Sequence, residues 1–180
     1  LETPFGKAED ALGGSAVYFS VSSSTLTDVR LVAVVGEDFP SEHIETLRAR
    51  PIDLTGLEQA EGRTFRWSGR YGFDLNQAIT LDTQLNVFET FAPVLPDPCR
   101  SPDVLFLANI DPELQLDVLN QAGRPRLIAC DTMNFWIQSK RDALEEVIRR
   151  ADLVFMNEGE ARMLTGERSG LAAARKVASS

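Results

Sequence analysis

Four times in this chain a nearly unbroken apolar run leads into a helical pattern, and that rhythm limits the fold more than any other feature. The first run is "VRLVAVV", residues 29 to 35, stopped by "GEDFP" and followed by "SEHIETLRAR". In that helix Ser41 is the expected cap, and Ile44, Leu47 and the stem of Arg48 share one side. The rhythm returns in "DVLFLANI" (103 to 110) with "DPELQLDVLNQA", in "PRLIACD" (125 to 131) with "KRDALEEVIRRA", and in "ADLVFMN" (151 to 157) with "EGEARMLTG". Apolar runs without alternation suit strands buried on both faces. Interleaved with amphipathic helices, they predict an α/β fold, an open and mostly parallel sheet flanked by helices.

One stretch breaks the pattern. From Arg63 to Tyr71, Phe65, Trp67, Gly69 and Tyr71 alternate with Thr64, Arg66, Ser68 and Arg70, and Ile79, Leu81 and Thr83 repeat the alternation after a turn near "GFDLN". A period of two marks half-exposed strands, and predicts a small antiparallel flap inserted after the first strand unit. Its aromatic residues are either a lid contact or the underside packing of a small sheet.

The chain has 180 residues, 43% of them hydrophobic, enough for one sizeable core. Against 27 acidic residues stand 18 basic ones, a net charge of −9, and no basic cluster stands out. Nucleic acid and anionic membrane are therefore not expected partners. No run of about 18 apolar residues is present, and "LETPFGKAED" lacks the cationic start and apolar stretch of a signal peptide, so a cytoplasmic location is expected. Cys99, Cys130 and the single histidine, His43, have neither disulfide nor metal spacing, which argues against a zinc site or a histidine-based triad.

In sheets of this kind ligands sit beyond the carboxyl ends of the strands. Those positions here are Gly36 to Asp38, Asn109 to Asp111, Asp131 to Asn134, and Asn157 to Glu160. A single acidic residue there is a helix cap, but four such ends predict a shared polar cleft. Ahead of "SAVYFSVSSS", Gly13 and Gly14 would let a backbone amide approach a ligand, or would simply turn the chain into a helix. Asn157 with Glu160 has the spacing of a capping box.

Taken in order, the glycine pair, "VAVVGEDFP", the aromatic flap, the Asp-x-x-Asn element of "CDTMNFW" and "NEGEARMLTG" resemble the ribokinase-like, phosphofructokinase-B-type family of carbohydrate and nucleoside kinases, over roughly residues 5 to 166. The resemblance implies a Rossmann-like, ribokinase-like sheet with a β lid, residues 1–180 forming a single incomplete domain whose lid strands lie around 1–12 and 56–84. It implies ATP and Mg2+ as cofactors and a small sugar or nucleoside as partner. The substrate-binding residues it points to are Gly13, Gly14, Phe65, Trp67, Arg70, Asn109, Asp131 and Asn134. Asn157 and Glu160 would serve the nucleotide, with Glu160 reaching the metal indirectly through water.

Two departures qualify this. Where many members carry a sugar-binding asparagine after the glycine pair, this chain has Val17, Tyr18 and Phe19, so a less polar acceptor is conceivable. The family's Gly-Ala-Gly-Asp segment, source of the anion hole and the catalytic base, does not occur. The resemblance therefore implies a fragment with no catalytic residue of its own, the base aspartate lying beyond Ser180 and the first strand missing. A homo-oligomer formed through the lid or a bare sheet edge is expected. The alternative is a non-catalytic binding or regulatory protein on the same scaffold. A nucleotide-binding oxidoreductase is disfavoured because no Gly-x-Gly-x-x-Gly follows a strand.

Overall fold

In a computed structural model, which describes residues 1–73 and 78–179, the alternation of apolar runs and helical patterns is realised as parallel strands flanked by helices, and the chain also forms a small antiparallel sheet. The chain divides into two units, Leu1–Ala92 and Pro93–Ser180.

The first unit holds β1 (Glu2–Thr3), β2 (Gly6–Lys7), α1 (Ser15–Ser23), β3 (Val29–Gly36), α2 (Ser41–Arg48), β4 (Ile52–Ala60), β5 (Arg66–Tyr71) and β6 (Ala78–Gln84). The first apolar run is β3, and it pairs in parallel with β4 from Val29 opposite Ile52 to Gly36 opposite Ala60. Val29, Leu31, Leu47 and Ile52 form the core here, and Ala16, Val17 and Val21 of α1 pack against it. Val17 is thus half-buried against the core, whereas Tyr18 is exposed.

Two local expectations are corrected. Ser41 is not the cap of α2 but its first residue; Pro40 holds the cap position and no side chain caps the helix. Arg48 does not cover the core, because it is exposed and paired with Glu45 on the surface. Residues 56–60, placed with the flap at the sequence level, run in β4 beside β3. One side of β4 is largely exposed, so "DLTGLEQA" carries no apolar run to announce a strand.

The antiparallel sheet has the order β2-β1-β5-β6. Its centre is the expected pair, β5 against β6, from Arg66 opposite Gln84 to Tyr71 opposite Ala78, and β1 joins β5 through Glu2 opposite Arg70. Of the expected turn at "GFDLN", residues 74 to 76 lie outside the described residues, as does Gln77.

What ties this sheet to the end of β3 is the "VVGEDFP" turn. Gly36 N–H donates to the Thr64 hydroxyl at 3.0 Å, and Thr64 donates through both its backbone N–H and its hydroxyl to Asp38 Oδ1, each at 2.7 Å. Those bonds, with the Arg66 guanidinium nearby, hold the Asp38 carboxyl below its ordinary pKa.

The second unit holds β7 (Val104–Leu107), α3 (Pro112–Gln121), β8 (Leu127–Asp131), α4 (Asn134–Ser139), α5 (Arg141–Arg150), β9 (Leu153–Phe155), α6 (Glu158–Thr165) and α7 (Gly170–Ala178). Its three strands lie in the order β7-β8-β9 and are all parallel. One core, Leu107, Leu119, Cys130 and Val147, lies between the sheet and helices α3 and α5. A second, Ile137, Leu144, Ile148 and Leu164, joins α4, α5 and α6. Among the described residues no helix is long and apolar enough to cross a membrane.

Candidate functional site

Because β7, β8 and β9 run the same way, their carboxyl ends share one edge of the sheet. After β7 comes Asn109, whose side-chain oxygen accepts a hydrogen bond from Trp136 Nε1 at 3.0 Å. Asp111 is spent on structure: it caps α3 by accepting from Glu113 N–H at 2.9 Å, and it pairs with Lys140 at 3.0 Å. β8 ends at Asp131, where Oδ1 accepts from the Thr132 N–H at 3.0 Å. Asn134 follows as the exposed first residue of α4.

After β9 the capping box forms in full. Asn157 Oδ1 accepts from Glu160 N–H at 2.9 Å, and Glu160 Oε2 accepts from Asn157 N–H at 2.8 Å. Glu160 is only 9% exposed. Burial pushes its pKa above the ordinary glutamate value, opposed by the hydrogen bond from the Asn157 backbone and assisted by the negative charge of Asp131. Asp131 and Glu160, from two neighbouring strand ends, therefore act on each other electrostatically.

This has a measurable consequence. A carboxyl whose folded pKa is raised binds more protons in the folded than in the unfolded chain, so stability falls as pH rises from its ordinary value through the folded value. Glu160→Gln keeps an acceptor for Asn157 N–H but cannot ionise. The melting-temperature advantage of wild type over Glu160→Gln is expected to shrink as pH is raised above 4.5, the ordinary value; a flat difference would show that burial does not govern this group.

The residues expected from the first unit are placed as follows. Gly14 occupies the cap position of α1 at φ 92°, a conformation that favours glycine, so the glycine there is required by the turn itself. Phe65 stacks on Phe88 with ring centroids 4.7 Å apart. Trp67 Nε1 donates to the Thr80 hydroxyl at 3.2 Å, and its ring meets Tyr71 edge-on. Arg70 Nε donates to Glu2 Oε2 at 2.9 Å, which fastens the amino-terminal hairpin to β5.

Gln115 and Trp136, exposed by 1% and 8%, were not singled out from the sequence, and Thr132, exposed by 5%, only as part of the span Asp131 to Asn134. Gln115 had a signal, since it shares a helical face with the buried Pro112 and Leu119, where a polar side chain must find partners. Its Nε2 donates to the backbone oxygens of Ala108 at 2.9 Å and Asp131 at 3.1 Å, so it cross-ties the ends of β7 and β8. A nucleophile is not apparent at this edge: the Cys130 thiol is buried and pushed up to about 12, chiefly by that burial.

Parallel strands packed with helices, a small antiparallel sheet, and acidic and amide groups at one carboxyl edge are the features of a ribokinase-like fold. No protein-family model matches it. Its sequence is 28% identical over 176 residues to the cytidine kinase of Thermococcus kodakarensis, across 96% of this chain and 62% of that protein. Among solved structures, the nucleoside kinase of Methanocaldococcus jannaschii, an archaeal member of the ribokinase family, superposes with a TM-score of 0.64 at 21% identity, over 86% of this chain and 52% of that one. Adenosine kinase of Anopheles gambiae, in complex with P1,P4-di(adenosine-5) tetraphosphate, gives 0.67 at 19%, over 92% and 55%. The resemblance read from the motifs therefore holds in both sequence and fold. The chain spans 62% of the length of the curated relative and little more than half of these two structures.

Proposed function

We propose that this chain is the substrate-binding portion of an ATP-dependent kinase that transfers a phosphate to a hydroxyl of a sugar or nucleoside. The observation that carries this reading is one carboxyl edge holding Asn109, Asp131, Asn157 and Glu160 on a fold shared with nucleoside kinases. The likeness to a protein named cytidine kinase supports trying nucleosides, cytidine first, ahead of sugars.

In this reading residues 1–180 form one incomplete kinase-like domain. The first unit contributes the glycine pair ahead of α1 and, as a lid, the sheet of β1, β2, β5 and β6, with Phe65, Trp67 and Arg70 assigned to the acceptor. A lid excludes water from the reacting groups. The second unit contributes Asn109, Asp131 and Asn134 for the acceptor, and Asn157 and Glu160 for the nucleotide.

The donor set at the edge suits Mg2+, which takes oxygen ligands and usually keeps several waters. Glu160 already accepts from Asn157 N–H, which favours a role through a coordinated water. When bound, the ion would neutralise charge developing on the transferred phosphate. The chain's own residues orient: the capping box fixes the Glu160 carboxylate, and Gln115 and Thr132 fix Asp131. The catalytic base is assigned to an aspartate beyond Ser180. We further assign the protein to the cytoplasm, without nucleic-acid or membrane partners, and to a homo-oligomer formed through the lid or an open strand edge.

The test is a thermal-shift panel of nucleosides and sugars on the full-length gene product, paired with a phosphorylation assay. Stabilisation by cytidine or another member of the panel is expected, with phosphorylation by the full-length product and none by residues 1–180 alone. Steady ATP-dependent phosphorylation by residues 1–180 would overturn the assignment of the base.

A further inference from the structure

Two side-chain oxygens, Gln115 Oε1 and Thr132 Oγ1, are buried and have no hydrogen-bond partner among the described residues. Both side chains are more than nine-tenths buried. Leaving such groups unpaired is costly, and buried polar atoms in folded proteins almost always have a partner, often an ordered water.

Both residues border Asp131. Gln115 Nε2 lies 3.1 Å from the Asp131 carbonyl oxygen, and that carbonyl is bonded to the nitrogen of Thr132. The Thr132 N–H in turn donates to Asp131 Oδ1 at 3.0 Å. Gln115 and Thr132 thus bracket Asp131 from a helix and from the loop after β8.

The orientation of the Gln115 amide is fixed by its surroundings. Its nitrogen faces the backbone oxygens of Leu107, Ala108 and Asp131, all acceptors, so Oε1 must point the other way. Oε1 can only accept, and Thr132 Oγ1 can both donate and accept. The partner must therefore bring a proton of its own, which excludes a carboxylate or a fully ionised phosphate.

We infer that Gln115 and Thr132 form an internal polar subsite behind Asp131 that binds a hydroxyl group, either a retained water molecule or a hydroxyl of the acceptor. A water would donate to both oxygens. An acceptor hydroxyl would donate to Gln115 and accept from Thr132. The second source rests on the kinase reading above; the first does not.

Thr132→Val tests it, because valine keeps the shape and removes only the hydroxyl. Melting temperatures of wild type and variant are compared for the 180-residue chain, alone and with cytidine or ribose. If a water fills the subsite, the variant melts lower by about 2–4 °C without ligand. If the acceptor's hydroxyl fills it, the loss is seen only as a weaker ligand-induced shift. An equal or higher melting temperature with an unchanged ligand shift would mean that the hydroxyl has no partner, and would overturn the inference.

Wild type that ignores every nucleoside and sugar, while Thr132→Val still melts lower, would refute the kinase reading and leave the water subsite standing. Gln115→Met, which orphans three backbone oxygens as well, is expected to lose more. A high-resolution crystal structure of the chain gives an independent reading: density between the two oxygens supports the subsite, and a dry contact rules it out.

Discussion

Gly36→Val is expected to lower stability by about 3 kcal/mol, a fall in Tm of roughly 6–12 °C for a chain of this length. Gly36 closes β3, and a Cβ on it would come closer than 3.0 Å to backbone atoms of Gly62, Arg63 and Thr64. Backbone cannot rotate aside as a side-chain tip can. Either β3 shifts or the 62–64 segment does, and the bonds from Gly36 to Thr64 and from Thr64 to Asp38 break with it. Since Thr64 leads into β5, the antiparallel sheet should loosen first. Thermal denaturation followed by circular dichroism measures the loss, and hydrogen exchange should rise over residues 62–71. A valine variant as stable as wild type would mean that this turn does not hold the sheet. Gly14→Ala meets open space and bears only the strain of φ 92°, so it should cost less, about 1 kcal/mol.

The second large effect is expected in the other unit. Leu144→Ala should cost about 2–5 kcal/mol. Leu144 is fully buried, and with Ile137, Ile148 and Leu164 it forms the core shared by α4, α5 and α6. The backbone of α6 carries Glu160 and that of α4 begins at Asn134, so a cavity here lies beneath the proposed site. Chemical denaturation gives the loss directly. Ligand affinity should weaken as well, in a variant in which no polar residue of the edge has changed. A loss below about 1 kcal/mol would mean that the site collapses around the missing atoms with little cavity left.

The sequence made some of this legible and hid the rest for identifiable reasons. Strands β3, β7, β8 and β9 announced themselves because each is an apolar run, and the capping box because its two residues are three apart. β4 was hidden because exposed Thr55, Glu58 and Gln59 interrupt its apolar residues. Helix α4 is only six residues long and carries no periodic face to read. Ser41 looked like a cap because the pattern of a cap is local, whereas the helix began one residue earlier than the pattern implied. At the edge, Asp131, Asn157 and Glu160 were visible as polar residues closing apolar runs. For Gln115 the helical face signalled burial but not its partners, because the carbonyl oxygens at the ends of β7 and β8 meet that helix only in the folded chain.

The central claim is the proposal that small-molecule recognition by this chain uses the carboxyl edge of the β7-β8-β9 sheet. Hydrogen–deuterium exchange of the 180-residue chain with and without saturating cytidine or ribose tests it most directly. The account predicts slower exchange over residues 131–136 and 157–161. Protection confined to the outer helices, such as 141–150 or 170–178, would contradict it.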